Sequence, residues 1–216
     1  MSPQPSSSHR SFGVVLLAAG ASRRMGRPKL LLPWGQGTVL SHLARLWQGL
    51  GAAQVLVVIP PSLSELEQAM GELASPGLNH IVNPQPQRGM FSSVQSAAAW
   101  PGWLPELTHW ILSLGDQPHV REATLRGLVE EGRRHPGDVV QPARNGRGRH
   151  PVWMPAGWFR MLPVAASSHL KAFLAEHARQ RRLVEMDDAG LDLDMDCPED
   201  YEAALRLVAA MGEENA

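Results

Sequence analysis

Apolar residues in this chain fall into short unbroken runs, separated by stretches where they recur every three or four positions. The run FGVVLLAAG, beginning at Phe12, is β-branched and ends in small residues, the pattern of a strand buried on both faces that leads into a loop. A second run, AQVLVVIP, spans residues 53–60. Between them Val39, Leu40, Leu43, Leu46, Trp47 and Leu50 recur at helical spacing, and glycines close the segment. The alternation continues. SLSELEQAMGELA predicts a helix opened by Ser62 or Ser64, and NHIVNP a short strand. SSVQSAAAW predicts a helix beginning near Ser92, with Ser92 or Ser93 as its N-cap. THWILSLGDQP reads as a strand running into a polar turn, EATLRGLVEEGRRH as a helix and DVVQPA as a strand. Residues 146–163, rich in Gly, Arg, Pro and Trp, read as an excursion from the sheet. After them come two amphipathic helices, SSHLKAFLAEHARQ and PEDYEAALRLVAAMG, with RRLVEMDD as a strand between them.

Strands alternating with helices imply an α/β fold with a mainly parallel sheet covered by helices on both faces, because parallel strands need crossover connections. Ligands of such sheets bind outside the carboxyl ends of the strands. That rule singles out three strand-to-helix loops, at residues 18–29, 83–93 and 115–118. Composition adds that 216 residues, 44% of them hydrophobic, suffice for one core without disulfides, so one domain over residues 12–212 is expected after a loose Pro/Ser-rich tail, residues 1–11. Cys197 is the only cysteine, which fits a reducing, cytoplasmic setting, and its acidic neighbours argue against an activated thiolate. A net charge of −1 is not that of a general nucleic-acid binder, and the apolar runs are too short to span a membrane.

The candidate chemistry is local. In LLAAGASRRMGRPKLLLPW, small residues allow a ligand close to the backbone, while Arg23, Arg24, Arg27 and Lys29 can neutralise an anion such as phosphate. From pattern alone, a solvated turn explains these arginines equally well, and neither G-x-x-x-x-G-K-[ST] nor G-x-G-x-x-G is present. In SLGDQP, Asp116 stands where a strand ends; it suits a Mg²⁺ ligand or a turn cap. In LDLDMDCPED, Asp192, Asp194 and Asp196 alternate, so on an extended segment they share one face and can hold a cation. NGRGRHPVWMP gathers Arg147, Arg149 and His150, and Trp34 lies near enough to the first loop to be a ligand wall.

These pieces together resemble a known family. LLAAGASRRMGRPK is similar to the L-A-A-G-x-S-x-R-M-G-x-x-K signature of MobA-like nucleotidyltransferases, in the form found in the molybdenum cofactor cytidylyltransferase (MocA-like) branch. The resemblance extends over residues 14 to about 201 and includes NPQPQRGMFSSV, GDQP, HPV and DLDMDCPEDY in the family's order. It implies a Rossmann-like, three-layer nucleotide-diphospho-sugar transferase fold. The implied reaction is Mg²⁺-dependent transfer of CMP from CTP to the molybdopterin phosphate acceptor with release of pyrophosphate, and the implied protein partner is a molybdenum hydroxylase client enzyme. On this resemblance Leu17, Ala18, Ala19 and Gly20 line base and ribose, and Ser22, Arg24 and Lys29 contact the triphosphate. Ser93 matches the serine of the family's pyrimidine-contacting G-x-x-x-S-V pattern, and Asp116 and Asp196 match its paired metal-binding carboxylates.

Within the family, a second glycine in L-A-G-G accompanies a purine, so Ala19 favours a pyrimidine. Arg149 stands where glycine usually precedes His150, with Gly148 one position earlier; the two are the candidate acceptor contacts. Cys197 replaces a usual threonine. The chemistry needs neutralised charge and alignment rather than a triad, because a phosphate nucleophile is already ionised and Arg24, Lys29, Asp116 and Mg²⁺ supply positioning and electrostatics. Competing readings are a nucleotidyltransferase for a sugar or polyol phosphate, a GTP-using guanylyltransferase and a non-catalytic cofactor-delivery protein.

Overall fold

The structure is a computed structural model that describes residues 11–20, 24–61, 64–176 and 178–213. Residues 1–10, Ser22, Arg23 and Ser62, which carry expectations above, lie outside the described residues. The first strand, β1 (Phe12–Leu17), is followed by a two-stranded ribbon, β2 (Pro33–Trp34) and β3 (Gly37–Thr38), and then by α1 (Val39–Gly49). Next come β4 (Gln54–Ile59), α2 (Ser64–Glu72), β5 (Leu78–Val82), α3 (Met90–Ala98), β6 (His109–Leu114) and α4 (Glu122–Arg134). The remaining elements are β7 (Val139–Arg144), β8 (Arg147–Gly148), β9 (Val152–Pro155), α5 (Ala156–Phe159), α6 (Leu170–Glu176), β10 (Arg181–Glu185) and α7 (Pro198–Glu213).

One sheet takes the order β10-β7-β9-β6-β1-β4-β5, with β8 paired to β7. The pairs β4–β1, β1–β6, β4–β5 and β7–β10 are parallel. Successive residues of a strand point to opposite faces, and the core follows that rule. Phe12, Val14 and Leu16 of β1 join Leu43 and Trp47 of α1 and Leu125 and Leu128 of α4 on one face. Val15 and Leu17 join Phe91 and Val94 of α3 and Phe159 and Phe173 on the other. The result is three layers, helix on sheet on helix. α1 starts where a capping box allows: the Thr38 hydroxyl accepts from the Ser41 amide at 3.2 Å, and the Thr38 amide donates to Ser41 Oγ at 2.9 Å.

Two expectations are corrected. The segment 146–163 is no excursion, because β9 lies inside the sheet, antiparallel to both β6 and β7. Val152, Trp153 and Met154 are wholly buried, and the Trp153 indole stacks on His109 with centroids 4.7 Å apart. A strand of four residues that follows Pro151 and ends in Pro155 is too short to display a period, so turn-forming neighbours masked it. The other correction concerns α3, which begins at Met90 with Gly89 at the N-cap position, φ 83°. Neither Ser92 nor Ser93 caps it; both sit inside the first turn.

Burial holds the pKa of His42, His119 and His150 below the ordinary histidine value of 6.5. The unfolded chain therefore takes up protons before the folded one does. Their stabilising contribution is complete above pH 6.5 and is lost as pH falls through the lowered folded values. Thermal melts between pH 7.5 and 5 are expected to show the midpoint dropping once the pH passes below about 6.5; a flat profile would contradict it.

Candidate active site

The site is built where β1 and β6 end side by side. Beyond the last β1 residue, the Ala18 amide donates to Val58 O and the Gly115 amide to Leu17 O, each at 3.0 Å, so the ladder continues into both loops. Position 115 is closely packed: a Cβ there would lie 3.2 Å from Leu17 O and 3.1 Å from Leu30 Cδ2, so a side chain would fit only if its neighbours moved by a few tenths of an ångström. Asp116 is thereby brought beside the first loop. A 3₁₀ turn at Lys29–Leu31 sends Lys29 back towards it.

Lys29 Nζ lies 3.2 Å from Asp116 Oδ2 and 2.6 Å from Asp196 Oδ1, and Arg24 Nη2 lies 2.6 Å from Asp196 Oδ2. Carboxylates remote in the chain thus converge on one ammonium. Burial raises the Asp116 pKa, and the nearby Lys29 charge only partly opposes it. Asp196 is lowered chiefly by its hydrogen bond from Lys29. For Lys29 burial is the largest single influence and pulls downward, yet its bonds and attraction to the two carboxylates together raise it.

Leu17, Ala19, Gly20, Ser93, Asp116, Asp194 and Asp196 line one cleft of about 580 Å³, which is in the range of small-molecule sites. Ala18 lines a smaller recess beside it with Lys29, Gly115 and Asp116. The structure thus brings together all the predicted nucleotide and metal residues except Ser22, which lies outside the described residues. Asp194 is a cleft residue too, its Oδ1 accepting from Gln117 Nε2 at 2.8 Å. Asp192 departs from the shared face expected of an extended segment. The 3₁₀ turn at Ala189–Asp192 rotates it away to pair with Arg144 and Arg149. Trp34 is no ligand wall of this cleft; it is buried against His42, His119 and Tyr201.

Sequence reasoning missed Asn83. Fully buried, its amide nitrogen donates to Ser92 Oγ at 2.8 Å and Ser93 Oγ at 2.9 Å, and its Oδ1 accepts from the Gln85 amide at 2.9 Å. Ser92 passes its own proton to Gln85 O or Gly89 O. Ser93 accepts from Asn83, and among the described residues no acceptor takes its own proton. An isolated Asn in a polar loop carries no pattern that would reveal this; only its place after β5 hinted at it.

Arg149 and His150 lie apart from that cleft, in a second groove of about 810 Å³ with Arg147, Lys171, Arg181 and His169. Met90, 47% exposed, borders both cavities. Gly148 leaves room for the Arg181 guanidinium and the Leu183 methyl, which a Cβ would meet at 2.5 Å and 2.9 Å and push aside. His150 Nδ1 is 3.2 Å from Leu112 O. Cys197 is half-buried, and its bond to Asp200 raises its pKa, so no thiolate is prepared.

Among the described residues no group of three or more His, Cys, Asp and Glu converges as a metal cage, and no helix is long and apolar enough to cross a membrane. A doubly wound sheet carrying small residues, cations and paired carboxylates beyond its central strands defines a nucleotidyltransferase. The chain belongs to the family of the MobA-like NTP transferase domain, whose model matches residues 14–183. It is 26% identical over 191 residues to the molybdenum cofactor cytidylyltransferase of Escherichia coli (strain K12), covering 87% of this chain and 92% of that one. It is also 26% identical over 222 residues to the molybdenum cofactor guanylyltransferase of Mesorhizobium japonicum, covering 94% and 98%. The crystal structure of Rv0371c from Mycobacterium tuberculosis H37Rv is similar with a TM-score of 0.74 and 30% identity, covering 91% of this chain and 97% of that one. A complex of Rv0371c with manganese gives 0.68 and 28%, covering 91% and 98%.

Proposed function

We propose that this enzyme transfers CMP from CTP to the phosphate of a molybdopterin-type acceptor, releasing pyrophosphate. The observation that carries the reading is the convergence of Asp116 and Asp196 on one positive charge, in the cleft shared with Ala19, Gly20 and Ser93. Oxygen atoms already gathered around an ammonium suit a hard divalent cation, and with only two carboxylates the remaining ligands would be phosphate oxygens and water. Asp116 and Asp196 would hold Mg²⁺, which when bound neutralises charge on the triphosphate. Arg24 and Lys29 offer N–H donors to the same phosphates. The acceptor oxygen bonds to the α-phosphorus, the bond from that phosphorus to the bridging oxygen breaks, and pyrophosphate leaves with the electron pair. Approach of one anion to another is the main obstacle, so screening by these cations and alignment by the cleft are what the protein contributes.

The relatives named cytidylyltransferase and guanylyltransferase are equally identical to the chain, so overall identity does not choose the base. Ala19 favours the pyrimidine through its methyl in the cleft, and Ser93 presents a hydroxyl proton suited to a pyrimidine acceptor atom. Across Met90, the cationic groove of Arg147, Arg149 and Arg181 suits an anionic acceptor. Purified protein supplied with acceptor and Mg²⁺ is expected to release pyrophosphate from CTP in clear preference to GTP, and Ala19→Gly to narrow that preference. Equal turnover of the two triphosphates would overturn the base assignment; product with a polyol phosphate but not the pterin would overturn the acceptor.

Asn83→Ala is expected to raise the KM for CTP more than it lowers kcat, because it frees the Ser93 hydroxyl to turn. It also strips partners from two buried hydroxyls, at a stability cost of about 1–3 kcal/mol. Steady-state kinetics beside denaturant melts separate the two effects.

A further inference from the structure

The loop after β6 is clasped to the acidic loop that precedes α7, and the chief fastener is a residue the reaction does not use. His119 is 1% exposed. Its Nε2 lies 3.1 Å from Gly190 O and 3.0 Å from Leu193 O, immediately before Asp194. A ring nitrogen facing two carbonyl oxygens must donate, so these partners assign the proton to Nε2. Nδ1 is buried and unpartnered among the described residues, as an uncharged lone pair tolerates better than an N–H. Gly190 fits flat against the ring, where a Cβ would come 3.1 Å from His119 Cδ2.

The rest of the clasp points the same way. Gln117 Nε2 donates to Asp194 Oδ1, and the Met195 amide donates to Asp116 O at 3.2 Å. Buried Asp188 accepts from the Gly190 amide with one oxygen and from the Arg121 amide and Thr124 hydroxyl with the other. Asp116 therefore sits on one loop, Asp194 and Asp196 on the other, and a single imidazole proton is shared between two carbonyls where the loops cross.

We propose that His119 is a positioning residue for the metal-binding carboxylates, its Nε2–H setting the height at which Asp194 and Asp196 face Asp116. The inference rests on the reading of Asp116 and Asp196 as the metal pair. Groups one step removed from a metal ligand typically change metal affinity 10–100-fold when lost. A merely space-filling ring would be replaceable by any apolar side chain of similar bulk; a donor would not.

The test compares His119→Leu, which keeps bulk, with His119→Gln, whose amide nitrogen reaches about as far as Nε2. Both are made in the full chain and monitored by Mn²⁺ binding in electron paramagnetic resonance and by hydrogen exchange of residues 190–196. The leucine variant is expected to lose about 10–100-fold in Mn²⁺ affinity and to exchange faster in that segment than elsewhere, while glutamine restores most of both. A leucine variant with wild-type exchange or wild-type Mn²⁺ affinity overturns the proposal, as does a glutamine variant as impaired as leucine. A wild-type chain that binds no Mn²⁺ instead sinks the metal reading. The exchange comparison then decides alone, supporting the clasp only if leucine loses the protection and glutamine keeps it.

Discussion

Replacing Asp116 by Asn is expected to lower kcat for pyrophosphate release by at least about a hundredfold while leaving the protein as stable as before or slightly more so. The two halves of this result have one cause. Burial raises the Asp116 pKa above the ordinary carboxylate value, which means that the folded state disfavours its charge. An isosteric amide removes that penalty, and with it the charge that a divalent cation needs. Asp196→Asn is expected to behave differently in stability, because Asp196 is lowered by its Lys29 hydrogen bond and so stabilises the fold when ionised. That contribution is present above the ordinary carboxylate value and is lost as pH falls through the lowered one. Coupled pyrophosphate assays and thermal melts on both variants check the contrast. Full activity in Asp116→Asn would remove the metal assignment.

Trp153→Ala is expected to cost about 3–5 kcal/mol of folding stability, a midpoint shift of roughly 2–4 °C per kcal/mol for a chain of this length. Trp153 is completely buried, lies 5.5 Å from the Phe12 ring and stacks on His109. Helix α4 is shaped to it: a Cβ on Gly132 would come within 2.4 Å of the indole. The void left by alanine is thus walled by Phe12 and His109 of the sheet and by helix α4 packed over the same face, and closes poorly. Denaturant unfolding monitored by circular dichroism measures the loss, and a cost below about 1 kcal/mol, the range of tolerated repacking, would contradict the central position of β9.

The contrast between β1 and β9 shows where the chain's pattern is readable. β1 and β4 are six residues each and buried on both faces, so their unbroken apolar runs stand out from amphipathic helices. β9 is as deeply buried, but it is four residues long, follows Pro151 and ends in Pro155, and so short a run carries no period. The site divides in the same way. Asp116, Lys29 and Ser93 were legible as residue types in the right loops. Their meeting was not, since Lys29 and Asp196 are 167 positions apart and only the crossing of two loops joins them. The alternation of Asp192, Asp194 and Asp196 presumed an extended chain; one tight turn was enough to hand the first of them to the arginines. His119 and Asn83 act through hydrogen bonds to neighbouring loops, and such bonds leave no periodic trace.

The antiparallel strand has a mechanical consequence. β7 and β10, which border the basic groove, reach the strands of the nucleotide-side cleft through β9, and the β7–β9 register is the single pair Val140 and Trp153. The sheet is thus two rafts laced along one short seam. Slippage there would shift the basic groove, which draws its lining from β7, β10 and the connection between β7 and β9, relative to the other cleft, so the distance between the two cavities depends on Val140 and Trp153, which line neither.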